Sequence, residues 1–375
     1  MRVKYTLFGV LVVFLVLAMN LGLQADIEDV RGKEVLDSQD LQVIDDFVAR
    51  AIQDLVDTRD FTSIAKTRSV ILAHKNSSKE SAQAQYTGQF SESADRYISA
   101  ALKQTSELKD KERRVKVILN LLILVDNLQD PRLADLALGM LNDENTVIRY
   151  WAVHCVTNPD MIRQLDLGEV ADLELAVRIA EKLDGLLEQA CSEITALAAG
   201  FAAEVRIQQG QDLLLKIADM RISQYADWTV DYEFLETVIL KLLYDKISSA
   251  ATGKSDMGRR FAQLYSYVMQ RYIKDTNGGN FLSAARRHQS ASVLVEIERA
   301  CIGPLLGMPQ LVIKRAVEQN DATALLLEHS RLFGDETRAG QLAQKLEFDY
   351  GTKPDGTKHT APLALPEPPS SKVGS

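Results

Sequence analysis

Apolar residues recur every three or four positions along most of this chain, which is the spacing of one face of an α-helix. The first such stripe consists of Leu41, Ile44, Val48, Ile52 and Leu55. Similar stripes follow one another, separated by short polar breaks, as far as residue 348, and no run shows a convincing strand-like alternation. The pattern predicts an all-α domain of about fourteen helices over residues 41–348.

One predicted helix, over residues 111–128, is apolar around most of its circumference. A helix of this kind must be covered on more than one side. Stacking between neighbouring helices in a solenoid would provide such cover. The helices differ in length and no fixed period repeats along the chain, so we expect an irregular array.

The clearest motif spans residues 130–157, which read as two helices joined by a short polar break. Asp130 is suited to cap the first helix, and Pro131 to occupy its first position. The second helix has an apolar stripe that consists of Ile148, Trp151, Ala152, Cys155 and Val156. We expect that stripe, including Trp151, to face the core.

This helix pair resembles a HEAT repeat. The positions that carry the resemblance are Leu141, Asp143, Asn145, Ile148, Arg149, Ala152 and Val156. The resemblance implies an irregular HEAT-like α-solenoid in which Asp143 and Arg149 tie adjacent units together across the turns between helices. It covers residues 130–157 closely and the rest of the chain only by the rhythm of helix pairs, and it says almost nothing about function.

The N-terminal 25 residues have the three parts of a secretory signal peptide. Arg2 and Lys4 give a positive start, Leu7–Met19 is uninterrupted and apolar, and Ala25 offers a small residue for cleavage. The run is shorter than the roughly 20 residues of a membrane span. We therefore predict export to the periplasm or cell envelope, with an uncleaved membrane anchor at residues 1–25 as the alternative.

A polar segment at residues 26–40 follows the leader, and a proline-rich tail ends the chain. Five of the nine prolines lie at or after Pro354. A chain segment rich in Gly, Pro and Lys has little to bury, so we predict that residues 349–375 are disordered.

The amino-acid composition argues against some classes of ligand. The formal charge is -9, which argues against nucleic acid as a partner because phosphate contacts need clustered Lys and Arg. The five histidines are scattered, and the three cysteines have neither metal-site nor disulfide-framework spacing. We therefore predict neither a metal nor any other cofactor, and we expect the cysteines to be core residues.

The most enzyme-like cluster consists of Arg286, Arg287 and His288, with Asn280 just before it. These cationic side chains could hold an anionic substrate, and Tyr265 or Tyr267 could act as acid or base. Some sugar-acid lyases with helical toroid folds combine Tyr, His, Arg and Asn in this way. An envelope enzyme acting on a polysaccharide is accordingly one alternative, and a solvated helix face is the simpler interpretation.

The best candidates for binding a partner are Tyr150 and His154. They lie one turn apart on the helix, on the side opposite the predicted apolar stripe. In HEAT arrays the second helix of each pair usually lines the concave surface, and aromatic side chains are favoured at interfaces. Our leading hypothesis is a non-catalytic, exported scaffold or adaptor that binds a protein partner. A membrane-anchored helper protein is a further alternative.

Overall fold

The structure, a computed structural model, describes residues 26–166, 170–249, 253–279 and 281–368. Over these residues the chain folds into α-helices with short 3₁₀ and π segments, and the β-type pairings found there are two isolated bridges. The all-α prediction is confirmed. The leader predicted at residues 1–25 lies outside the described residues. Where we expected one helical domain over residues 41–348, the chain divides into two compact units, Met1–Asp172 and Leu173–Ser375.

The described helices of the first unit follow one another with short connections. They are α1 (residues 26–31), α2 (Ser38–Asp57), α3 (Phe61–Ala73), α4 (Glu80–Thr105), α5 (Lys111–Leu128), the 3₁₀ turn Pro131–Leu133, α6 (Ala134–Leu138), α7 (Thr146–Thr157) and α8 (Pro159–Leu165). Side chains of Asp, Asn or Ser often cap the N-termini. Asp130 accepts from the amide of Arg132, and Asn145 accepts from the amides of Val147 and Ile148.

Helices of the first unit pack on near neighbours in the sequence. α2 packs on α4, α5 on α7, and α6 on α7. Leu121, Leu122 and Leu124 of α5 are all fully buried, as expected for a helix covered on more than one side. This arrangement of many packed helices is compatible with a helical repeat.

Over its described residues, the second unit contains two π segments among its α-helices. Its described elements are α9 (Val170–Leu186, which begins just before the unit boundary), the 3₁₀ turn Leu187–Gln189, α10 (Ser192–Glu204), α11 (Gln208–Ala226), α12 (Leu235–Ser249), α13 (Lys254–Lys274), the π segment Asp275–Gly279, α14 (Ala284–Ile297), the π segment Glu298–Ile302, α15 (Gly303–Leu306), α16 (Val312–Glu318), α17 (Ala322–Phe333) and α18 (Gln341–Leu346). Gly278 has a φ of 97° where the helix after α13 breaks, a backbone conformation that glycine adopts without steric cost.

α13 is the central helix of this unit. It packs against α11, α12, α14, α17 and α18, so neighbours that are distant in sequence enclose it. Phe261, Tyr265 and Val268 on α13 are fully buried. The second unit is thus organised around one enclosed helix.

The tail differs from our expectation of disorder over residues 349–375. Tyr350 and Leu365 are buried, with 8% and 3% of their surface exposed. The backbone of Leu363 exchanges hydrogen bonds with the side chain of Gln263, and the amide of Leu365 donates to Gln270 Oε1 at 2.7 Å. Within residues 349–368, Tyr350 and the stretch 363–365 therefore pack against the rest of the second unit, because two apolar side chains and the amide side chains of α13 hold them, while residues 352 and 354–358 are exposed. Residues 369–375 lie outside the described residues.

Within the described ranges, no helix is both long enough and apolar enough to cross a membrane.

Candidate functional site

Asp143 and Arg149, two of the residues that carry the repeat resemblance, meet in the turn before α7. Arg149 Nη1 donates to the main-chain oxygen of Asp143 at 2.8 Å, and Nη2 donates to Thr146 Oγ1 at 3.1 Å. The carboxylate of Asp143 accepts from Arg114 Nη2 of α5 at 2.8 Å. Asp143 therefore links this turn to α5, whereas Arg149 holds its own turn. Asp143 thus contacts another helix through its side chain, whereas the hydrogen bonds of Arg149 stay within residues 143–146.

The buried face of α7 agrees with the repeat pattern except at one residue. Ile148 and Ala152 are fully buried, and Cys155 and Val156 are buried with them. Trp151 was expected in the same stripe, yet it is half-buried. Val153, which lies outside the predicted stripe, is fully buried.

Tyr150, Trp151 and His154 form one aromatic cluster on the outer side of α7. The ring centroids of Tyr150 and Trp151 are 6.1 Å apart with an edge-to-face angle of 86°, and those of Trp151 and His154 are 5.2 Å apart. Val147, one turn earlier, is 51% exposed. These four residues lie on one helical stripe, which we call the α7 aromatic face.

Asp126 of α5 fixes the polar end of the α7 aromatic face. Its Oδ1 lies 3.0 Å from His154 Nδ1 and also accepts from Asn158 Nδ2 at 3.0 Å. The hydrogen bond with Asp126 raises the pKa of the His154 imidazole above its usual value of 6.5, although partial burial opposes the shift. The predicted pair Tyr150 and His154 is thus brought together, with Trp151 and Asp126 added by the tertiary structure.

The residues of the predicted basic cluster have separate roles in the second unit. Arg287 Nε donates to Asp275 Oδ2 at 2.5 Å, and the other oxygen of this fully buried carboxylate accepts from the amide of Leu282. Arg287 therefore holds the turn between α13 and α14. His288 is exposed, and Arg286 is half-buried. Asn280 lies outside the described residues.

Neither tyrosine proposed as an acid or base joins this cluster. Tyr265 is fully buried, and its hydroxyl donates to the main-chain oxygen of Leu294 at 2.8 Å. Burial raises the pKa of Tyr265 well above its usual value. Tyr267 is also buried, with 3% of its surface exposed. The geometry therefore does not bring Tyr265 or Tyr267 to an open site with Arg286, as the lyase alternative requires.

Sequence reasoning missed a buried network of charged side chains beside Arg286. Arg221 Nε donates to Glu236 Oε1 at 2.7 Å, and Arg271 Nη1 donates to Glu233 Oε1 at 3.1 Å. All four side chains are at most 3% exposed. Burial raises the pKa of Glu236 to about 7, which the charge of Arg221 opposes. Burial likewise raises the pKa of Glu233.

Several polar atoms of this network lack hydrogen-bond partners among the described residues. They are Arg271 Nε, Glu233 Oε2, Glu236 Oε2 and the hydroxyl of Tyr225. A buried polar atom without a partner costs about 1–3 kcal/mol. Such a concentration of unsatisfied atoms is characteristic of sites that hold water, an ion or a ligand.

A cavity of about 360 Å³ adjoins the network and is lined by Arg271, Arg286, Trp228, Phe281 and Pro368, among others. Trp228, two residues after the end of α11, has a φ of 57°, a left-handed conformation that is strained for a bulky side chain. Its indole Nε1 donates to the main-chain oxygen of Pro366 at 3.0 Å. Arg271 lies over the Trp228 ring at 5.5 Å, and Phe281 meets the same ring edge-to-face at 5.6 Å.

One signal in the sequence could have revealed the charged network. Glu236 lies three, four and seven residues before Ile239, Leu240 and Leu243, so it belongs to their apolar stripe. Arg221 occupies the same kind of position after Ile217. A charged residue on an otherwise buried face is seldom buried unless it is paired, and this rule indicates that a partner exists without identifying it.

A serine and a histidine also meet in the second unit. Ser266 Oγ lies 2.7 Å from His329 Nε2 and accepts from Gln270 Nε2 at 2.8 Å. Burial lowers the pKa of His329 to about 4, which keeps the imidazole neutral near neutral pH. Ser266 is fully buried, so its hydroxyl is closed to a substrate. We interpret the pair as a structural hydrogen bond.

The described histidines, cysteines and carboxylates form no metal site and no disulfide. Cys155 and Cys301 are buried and unpaired, which fits the core role expected for them. Cys191 lies at the N-cap of α10 and is half-buried, so it is not part of a helical stripe.

In comparisons with known proteins, no protein-family model matches the chain, and no curated protein matches it.

Proposed function

We propose that this chain is a non-catalytic helical-repeat scaffold that is exported to the cell envelope and binds a protein partner through the α7 aromatic face. The HEAT resemblance over residues 130–157 and the all-helical fold support the repeat part of this proposal. The export part rests on the leader pattern of residues 1–25.

The observation that best supports the binding proposal is that the aromatic cluster on α7 is only half-buried. Tyr150, Trp151 and His154 supply contact area with few rotatable bonds, and such residues dominate binding energy at interfaces. Asp126 holds the His154 ring at 3.0 Å, so the face is ordered before a partner arrives. Pre-ordering lowers the entropy lost on binding.

Affinity capture with the full-length protein, using its native envelope extract, tests the proposal. A partner that binds the α7 aromatic face should be captured by the wild type and lost with Tyr150→Ala. Tyr232→Ala is a matched control, because Tyr232 is 43% exposed and belongs to the other unit. Capture that is unchanged in Tyr150→Ala, or lost equally in both variants, would argue against this face.

The state of the leader is tested separately. We expect the mature protein to begin near Asp26, because Ala25 completes the cleavage pattern. The mass of the protein isolated from its native envelope measures this directly. A chain that still carries Met1 would favour the membrane-anchored helper instead.

A further inference from the structure

The cavity beside α13 has the composition of a ligand site. Its volume of about 360 Å³ lies within the range of small-molecule sites, roughly 300–1,000 Å³. Trp228 and Phe281 give it an apolar wall, and Arg271 and Arg286 give it two cationic groups. The lining as a whole is more polar than apolar, and converging cationic groups of this kind suit an anionic ligand.

The two arginines differ in their hydrogen-bond and ion-pair partners. Arg271 is 2% exposed and binds Glu233 through Nη1, while its Nε is buried without a hydrogen-bond partner among the described residues. The guanidinium of Arg286 makes no hydrogen bond or ion pair with any described residue, although it lies close enough to Glu233 to favour that carboxylate's charge. The site therefore contains two guanidinium groups and one carboxylate, so positive charge is in excess.

We propose that this cavity binds a small aromatic or apolar monocarboxylate. Guanidinium groups recognise carboxylates through paired N–H donors in one plane. A singly charged group balances the excess positive charge, whereas a dianion would leave an uncompensated negative charge in a partly buried site. The ring of the ligand would lie against the apolar wall of Trp228 and Phe281.

The tail belongs to this site. Pro368 lines the cavity, and the main-chain oxygen of Pro366 holds the Trp228 indole at 3.0 Å. Lys274 of α13 and Glu367 form an ion pair that fixes the same segment. The proline-rich segment thus acts as one wall, which explains why it is packed rather than free.

Tryptophan fluorescence tests the proposal with the full chain. The protein contains two tryptophans, so Trp151→Phe leaves Trp228 as the single reporter. Benzoate should change its emission in a saturable manner, and neutral benzamide should not. Calorimetric titration of the same sample provides a reading that does not depend on Trp228. The absence of saturable benzoate binding in both measurements would overturn the proposal.

Arg286→Gln in the Trp151→Phe background should weaken benzoate binding about tenfold or more, since a charge-assisted hydrogen bond is lost. Arg315→Gln is the matched control, because it removes the same charge from an exposed position of the same unit, and it should leave binding unchanged. Equal affinity of the Arg286→Gln variant and its parent would overturn the assignment. If Arg286→Gln fails to fold, Arg286→Lys provides the test, with binding weakened because the planar fork is lost and unchanged binding overturning the assignment.

Phenyl phosphate distinguishes the charge class of the ligand. It offers the same ring with a group that is largely dianionic near neutral pH. Weaker binding of phenyl phosphate than of benzoate is the expected result, and tighter binding would overturn the choice of a monocarboxylate.

Discussion

Arg114 and Asp143 form an ion pair at 2.8 Å that joins the start of α5 to the turn before α7. The Asp143 side chain is 7% exposed and that of Arg114 is 37% exposed. The two residues are 29 positions apart in sequence, so the ion pair forms only when this unit is folded.

A double-mutant cycle on Arg114 and Asp143 should show a coupling energy of about 0.5–1.5 kcal/mol, because one partner is buried and the other half-exposed. The variants are Arg114→Ala, Asp143→Ala and the double substitution, and urea denaturation gives the free energies of unfolding. Lys116 and Glu112 on the same helix offer an exposed pair for comparison, expected near zero. Strict additivity at Arg114 and Asp143 would show that the pair adds nothing.

Arg149→Ala should lower the free energy of unfolding by about 1–3 kcal/mol, since the main-chain oxygens of Asp143 and Glu144 lose a charged donor. Thermal or urea denaturation measures the change. Arg163→Ala is a suitable control because that side chain is 78% exposed, and it should cost little. An equal, small effect of both substitutions would remove Arg149 from the structural account of the turn.

The His154–Asp126 pair should make stability depend on pH. Because the folded pKa of His154 is raised above the unfolded value, the stabilisation is complete below about pH 6.5 and is lost as the pH rises through the folded pKa. The free energy of unfolding of wild type relative to His154→Gln should therefore be larger at about pH 5.5 than at about pH 8.5.

NMR titration of the imidazole signals provides a direct measurement, and Asp126→Asn should lower the His154 pKa. A His154 pKa that does not respond to Asp126→Asn would contradict the proposed cause.

Arg221→Ala should destabilise the second unit by about 3–5 kcal/mol, because it leaves the carboxylate of Glu236 buried without its cationic partner. Replacing both residues with apolar side chains of similar size, Arg221→Met with Glu236→Leu, should restore most of the loss. Arg260→Ala removes a more exposed ion pair with Asp219 from the same unit and should cost about 0–1 kcal/mol. Equal costs for Arg221→Ala and Arg260→Ala would refute the buried pair.

Leu365→Ala should lower the stability of the second unit by about 1.5–3 kcal/mol, the value of one buried leucine side chain. Leu363→Ala is the matched control in the same segment, since Leu363 is 54% exposed and its loss should stay within about 0.5 kcal/mol. Thermal denaturation compares the two. Equal melting of both variants would mean that the tail is not packed in solution.

Local pattern determined the secondary structure of this protein. The stripe of Ile148, Ala152 and Val156 identified α7, and Asp130 was recognised as a cap, because helix periodicity and capping involve residues within a few positions of one another. The same pattern placed Trp151 inside the core, where it is only half-buried. Periodicity gives the direction of a side chain but not the extent of its cover by other helices.

The candidate sites were only partly visible in the sequence. Tyr150 and His154 are one turn apart, so helix geometry alone brought them together. Arg286 and Arg287 are adjacent in sequence, yet one lines the cavity and the other binds buried Asp275. Consecutive residues of a helix point to different sides, and the turn between α13 and α14 decides which partner each one meets.

The sequence by itself determined that the chain is all-α and that Tyr150 and His154 lie one turn apart on α7, away from its buried stripe. The tertiary structure alone decided that Arg221 pairs with Glu236, that Arg271 pairs with Glu233, and that the proline-rich tail covers α13. The physical reason is the range of the interactions. Periodicity and capping act within a turn or two of helix, whereas charge pairing and the packing of residues 349–368 join segments up to 138 positions apart.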